Sequence, residues 1–165
     1  LLTEGFSQSI EMIADALGFA LDPEIRSTHE VSVATAPIDS PIGPIEPGQV
    51  AAQRFTGEGL VDGTPVITAR TNWFMGEENL DPAWSFGPEG ERFEVEISGD
   101  PSIKTTFHGL HPESIAAGLE RNPGIVATAV HCVSAIPYVC EAEPGIKTYL
   151  DLPLVTGRAD PRLGG

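Results

Sequence analysis

Basic residues are scarce in this chain. Nine Lys and Arg stand against 24 Asp and Glu, a formal net charge of −15. Binding a phosphate backbone needs a basic surface, so nucleic acid is excluded as a partner. Anionic membranes are disfavoured on the same ground. Long apolar runs are missing, and no signal-peptide pattern opens the chain. The expectation is a soluble, cytoplasmic protein. Cysteine is nearly missing too. Cys132 and Cys140 fall in one predicted helix, roughly 12 Å apart at about 1.5 Å per residue, too far for a disulfide. They read as buried thiols in a reducing compartment. Two thiolates at that spacing cannot hold zinc without further ligands, and the histidines have no acidic or cysteine ligand at a recognisable spacing, so no metal is expected. There is no G-x-S-x-G elbow, and neither cysteine lies where its thiol would be activated. With no βαβ alternation and no G-x-G-x-x-G, the chain has no dinucleotide-binding domain of its own.

Turn residues, by contrast, are plentiful, with 18 Gly and 15 Pro, which predicts short elements and many turns. The strongest local signal is Asp62-Gly63 between two β-rich runs. Both central positions of a type I′ turn need positive φ, so this is a hairpin. Its second arm, from Thr64 to Met75, reads as a central strand. Thr68, Arg70, Asn72 and Phe74 share one face, and Ala69, Thr71, Trp73 and Met75 share the other. Polar groups in the middle of a strand need partners or a purpose. Arg70 either pairs with a neighbouring carboxylate on a wet sheet face or, with Asn72, lines a pocket.

Phe6, Ile10, Ile13 and Leu17 mark one face of an N-terminal helix that stops at Gly18. A strand follows from Ile25 to Ala36, with His29 as a core histidine. Pro37 to Gly48 reads as an ordered, stiff connection. Gly76 to Glu91 is a polar loop that Trp84 and Phe86 pin to the body. Arg92–Ser98 and Ser102–His108 form a second hairpin, with Phe93, Val95 and Ile97 inward. His111-Pro112 opens a helical stretch. A helix from Ile125 to Val139, apolar nearly all round, is expected to be deeply buried, with Pro137 bending or ending it early. His131 in that helix either finds a core partner or faces a cavity. Leu150–Leu154 is a short strand or extended end. The fold class is α+β: a largely antiparallel sheet of about five strands with helices packed on one face.

The segment GIVATAVHCVSAIPYVCEAEPGIKTYLDLP, the hairpin GQVAAQRFTGEGLVDGTPVI and the NWFMG that ends its second arm succeed one another in a familiar order. Together they resemble the C-terminal domain of the 2,4-diaminopentanoate dehydrogenase and native amine dehydrogenase family, proteins often described as dihydrodipicolinate reductase-like. The most specific part is the run from Ala127 to Cys140 with its Ala135-Ile136-Pro137, followed by Pro144-Gly145-Ile146 and Leu150-Asp151-Leu152-Pro153. The resemblance implies that residues 1–155 are a substrate-binding and dimerisation domain, with 156–165 a tail. It implies a homodimer, a separate N-terminal Rossmann domain that binds NAD or NADP, and hydride transfer at a C–N bond or related carbonyl of a small substrate. The opening on Leu1 rather than Met fits a piece of a longer polypeptide. No catalytic acid or base is assignable, because the resemblance puts it on the cofactor domain. Arg70, Asn72 and Trp73 match the strand where relatives place pocket side chains. Some relatives carry a histidine there, and the departure to Arg-Thr-Asn implies that Arg70 favours a substrate carboxylate or that the substrate is a carbonyl or alcohol. By the same resemblance His131 approaches the nicotinamide side of the cleft. The competing reading is a non-catalytic module that holds a small ligand or self-associates.

Overall fold

The Asp62-Gly63 turn forms as its chemistry requires. In the computed structural model, which describes residues 2–40, 43–85, 92–108 and 123–156, Asp62 has φ 50° and Gly63 φ 74°. The turn joins β2 (Val50–Val61) to β3 (Thr64–Phe74), which pair antiparallel. The carboxylate of Asp22 accepts from the backbone N–H of Asp62 at 3.1 Å and of Gly63 at 2.9 Å, closing the turn from outside. Pro65 has no N–H to give the ladder, and the register slips by one residue between Gly59 and Leu60, leaving Val66 as a bulge.

β1 (Arg26–Ala34) lies on the other side of β2, and β4 (Leu80–Asp81) pairs with the end of β1, giving an antiparallel sheet of order β3-β2-β1-β4. The chain divides into two compact units, Leu1–Gly87 and Pro88–Gly165, and this sheet belongs to the first. Among the described residues β3 is therefore an edge strand and β2 is central, which corrects the expectation for β3. Strand length and β-propensity report that a segment is extended. They do not report which neighbours it acquires.

α1 (Leu2–Leu17) packs on β2 and β3. Ile10 is fully buried and Ala14 nearly so, with Phe6 half-buried beside them, whereas Ile13 and Leu17 are exposed. The seam is thus Phe6, Ile10, Ala14, narrower than the periodicity suggested. It can sit close because β2 offers Gly57 and Gly59 there. A Cβ on Gly59 would lie 2.7 Å from Ile10 Cγ2, and one on Gly57 would lie 3.2 Å from Phe6 Cβ. The helix ends at Gly18, φ 77°, where Phe19 N–H donates back to the Ala14 carbonyl at 2.9 Å.

A second small core forms at the other end of the sheet. Ala34, Ala51, Ala52 and Leu80 are buried, with Ile38, Ile45, Phe74 and Trp84 packed around them. Within the proline-rich connection Ile38 and Ile45 exchange two backbone hydrogen bonds at 3.0 and 2.8 Å, in keeping with the ordered excursion expected there, while Pro41 lies outside the described residues. β4 forms inside the stretch from Gly76 to Glu91 that was expected to be a loop. Trp84 ties down the loop after β3, and the Ser32 hydroxyl, itself buried, donates to the Pro82 carbonyl at 2.7 Å. Phe86 lies outside the described residues.

In the second unit, β5 (Phe93–Ile97) and β6 (Ile103–Phe107) form a two-stranded antiparallel hairpin, and α2 spans Pro123–Glu141. The fold is α+β with antiparallel strands, as expected, though the strands divide between two sheets. Burial in this unit departs from expectation. Phe93, Val95, Ile97, Ile103 and Phe107 are exposed, and so are Val130, Val133, Ile136 and Val139 of α2. Both cysteines are exposed free thiols. Apolarity predicts what gains from burial, and these apolar side chains stay 48–64% exposed. Pro137 does not end the helix, which runs on to Glu141. Residues 148–151 form a turn, so of the short strand or extended end expected over Leu150–Leu154 no strand forms. Asp151 accepts from the Thr148 N–H at 2.7 Å and the Thr148 hydroxyl at 2.8 Å. The helical stretch expected after His111 lies outside the described residues, as does the tail from 157.

Candidate functional site

Residues directly opposite one another in an antiparallel ladder share a face, so the register assigns every side chain of the first sheet. On the face away from α1 the rungs across β1, β2 and β3 are Ser32–Ala52–Phe74, Glu30–Arg54–Asn72, Thr28–Thr56–Arg70 and Arg26–Glu58–Thr68. Three consecutive rungs are polar throughout. Each rung is tied across the strands by its own bonds. Arg26 Nε donates to Glu58 Oε2 at 2.6 Å. Arg54 Nη1 lies 3.7 Å from Glu30 Oε2, and its Nε donates to Asn72 Oδ1 at 2.8 Å. The Arg54 guanidinium also lies over the Trp84 ring, 4.6 Å from the centroid. Arg70 Nε donates to the hydroxyl of buried Thr56 at 3.3 Å.

The opposite face carries Val31–Gln53–Trp73 and His29–Phe55–Thr71, then Ser27–Gly57–Ala69 where α1 begins to cover it. Here the His29 ring stacks on Phe55 with centroids 4.3 Å apart, and Phe55 meets Trp73 edge-on at 5.7 Å. His29 Nε2 and Gln53 Oε1 are 3.1 Å apart. His29 is exposed, not a core residue, its ring lying on Phe55 on a part of the face that leaves it open to solvent. Trp73 is 51% exposed.

The four site residues named from the sequence are thus divided. Arg70 and Asn72 lie on one face of β3, with Asn72 half-buried and Arg70 exposed, and Trp73 lies on the other. His131 is in the second unit, exposed on α2, its ring 5.2 Å from that of Tyr149. Sequence reasoning missed Arg54, which organises the polar face, and Phe55, which joins His29 to Trp73. Arg54 was recoverable in part: it sits on the first arm of a hairpin whose turn fixes its position opposite β3. The bulge at Val66 was not legible, and without it the pairing comes out one residue wrong.

Two groups outside this sheet have carboxyls held below the usual range. Glu94 is lowered chiefly by the Arg92 Nε–H donated to it at 2.9 Å, helped by the positive charges of Arg92, Lys104 and His108. Asp151 is lowered by the two Thr148 donors. Among the described residues no group of three or more His, Cys, Asp or Glu side chains is arranged to hold a metal ion. None of the described helices is long and apolar enough to cross a membrane.

Set beside known proteins, residues 3–161 match the model of the 2,4-diaminopentanoate dehydrogenase C-terminal domain. The chain belongs to that family. The 2,4-diaminopentanoate dehydrogenase of Acetoanaerobium sticklandii is 33% identical over 150 residues, 91% of this chain and 37% of that protein. The amine dehydrogenase of Streptomyces virginiae is 36% identical over 149 residues, 88% of this chain and 39% of that protein. The chain therefore spans less than two fifths of the length of either relative. Among solved structures, the amine dehydrogenase from Mycobacterium smegmatis is similar in fold, with a TM-score of 0.56 at 23% identity over 90% of this chain and 38% of that one.

Proposed function

We propose that this chain is the substrate-binding and dimerisation domain of an NAD(P)-dependent oxidoreductase that acts on an amine, its imine or a related carbonyl. The observation that carries the reading is the family match over residues 3–161, with two dehydrogenases among the relatives. Arg70, Asn72, Trp73 and His131 are the proposed substrate-binding residues. The polar face of the sheet supports the first two, since it is the face with fixed hydrogen-bond donors. Self-association is supported by the edge of β3, unpaired among the described residues, and by the exposed ring of Trp73 beside it.

The residues present do not make a dinucleotide cradle. No G-x-G-x-x-G occurs in the sequence, and the described strands are all antiparallel. The nicotinamide cofactor would be held by a separate domain and would supply the hydride chemistry there. What this chain contributes in the proposal is a shaped, donor-lined wall for the substrate.

The test is a titration of NADH and NADPH into the full-length protein and into this 165-residue chain alone, read by nicotinamide fluorescence. Binding by the full-length protein and none by the chain is expected. Tight binding by the chain alone, or no binding by the full-length protein, overturns the reading. Amine-dependent reduction of NAD(P)+ by the full-length protein, with release of ammonium, is the matching activity.

A further inference from the structure

The polar face of the first sheet changes character along its length. At one end the Ser32–Ala52–Phe74 rung is covered. Ser32 and Ala52 are buried, and the Ser32 hydroxyl donates to the carbonyl of Pro82, just after β4. Trp84 of the same segment packs against the small core there. Two rungs on, Thr28 and Arg70 are exposed. The Glu30–Arg54–Asn72 rung between them is the border, and Trp84 reaches it, since the Arg54 guanidinium lies over its ring, 4.6 Å from the centroid. Among the described residues the face is an open floor with an end wall at Trp84.

Arg54 joins the floor to the wall. Its planar group is used on three sides at once. Nε donates to Asn72 Oδ1 at 2.8 Å, Nη1 lies 3.7 Å from Glu30 Oε2, and the flat side meets Trp84. A guanidinium has donors only, so the Asn72 amide must give Arg54 its oxygen. That sets the amide in one of its two flips and leaves its NH2 for some other acceptor. A lysine here would supply a charge, but not an edge and a flat side together. Arg26, two rungs away on the same side of the sheet, spans less: its bond goes to Glu58 on the adjacent strand.

We propose that Arg54 is a positioning residue of the substrate site, which fixes the outward donor of Asn72 and holds Trp84 beside it. The proposal rests on the reading of this chain as a substrate-binding domain with Asn72 on its binding face. Arg54 acts through these two neighbours and does not itself touch the substrate. Asn72 and Trp84 hold the substrate before and during the reaction alike, so the effect falls on KM and not on kcat. A variant that merely folds less well does the opposite: it loses active enzyme, and so apparent kcat, at an unchanged KM.

The experiment uses the full-length protein, with oxidation of 2-aminopentane by NAD(P)+ as the assay and R26Q as the control. In R54M the KM for 2-aminopentane rises about 10-fold, the worth of a hydrogen bond to a charged group, while kcat moves less. R54K, with the charge but without the flat side, recovers part of it. R26Q stays within about twofold of wild type, as for an exposed ion pair. A KM in R54M equal to that in R26Q, or a fall in kcat alone, overturns the proposal. A second measurement reads the link directly. In 15N spectra the Asn72 side-chain amide, identified by its loss in N72S, moves in W84F and does not move when W84F is made on R54M. An Asn72 signal that ignores W84F, or that moves equally with and without Arg54, overturns the proposal. If wild type leaves 2-aminopentane unoxidised, the amine-oxidising reading fails by itself, and the Asn72 signal alone decides on Arg54.

Discussion

The two faces of the four-stranded sheet are built from alternate residues of the same three strands and have opposite chemistry. The face under α1 is made by removal: Gly57 and Gly59 leave room for a helix to come close, and Ile10 fills the room. The other face is made by addition, of long polar side chains that reach across strands and fix each other's geometry. The difference teaches where stability resides and where hydrogen-bonding groups are set out. Buried apolar contact holds the sheet to its helix. The exposed ion pairs on the other face add little to folding, since surface ion pairs are worth about 0–1 kcal/mol, but they fix which donors and acceptors there are already engaged. The β5–β6 hairpin repeats the division, with Glu94, Glu96 and Lys104 on one side and five exposed apolar residues on the other.

The comparison is broken most severely on the helix side. Ile10→Ala should cost about 2–5 kcal/mol, as for a fully buried aliphatic side chain that leaves a cavity, measured by chemical denaturation. Gly59→Ala adds a methyl where Ile10 and Leu21 already stand within 2.7 and 3.0 Å, and should cost about 1–3 kcal/mol by overpacking. On the polar side Glu58→Gln, which loosens the exposed Arg26 pair, should change stability by under about 1 kcal/mol. A larger loss there would mean that the pair is structural. The smallest effect is a matter of pH. The Glu94 carboxyl titrates below its unfolded value, so its bond to Arg92 is in place above that value and is lost as pH falls through the lowered one. Carboxyl-carbon NMR should show the Glu94 titration moving up toward the ordinary range in Arg92→Gln.

Local chemistry and the two hairpins were legible in the sequence, and neighbours beyond a hairpin were not. Asp62-Gly63 announced its hairpin because positive φ is a property of one or two residues. Gly18 ended α1 for a similar reason. The family itself was legible, in the order of its segments. The place of β3 at the edge, the exposure of His29 and the bare faces of α2 all depend on what lies next to a segment in space. Apolar pattern states a demand for cover without naming the cover. The site residues show both sides of this. Alternation along β3 is enough to separate Arg70 and Asn72 from Trp73, while the partners that turn Arg70 and Asn72 into donors lie on β2.

The bulge at Val66 has a meaning beyond local shape. On the turn side of it, paired residue numbers sum to 125, as in Val61 with Thr64. Beyond it they sum to 126, as in Thr56 with Arg70. With no extra residue, Arg70 would stand opposite Phe55, on the ring-bearing face. One inserted residue thus acts as a parity bit. Removing it would exchange the chemistries of β3's two sides without altering a single side chain beyond it.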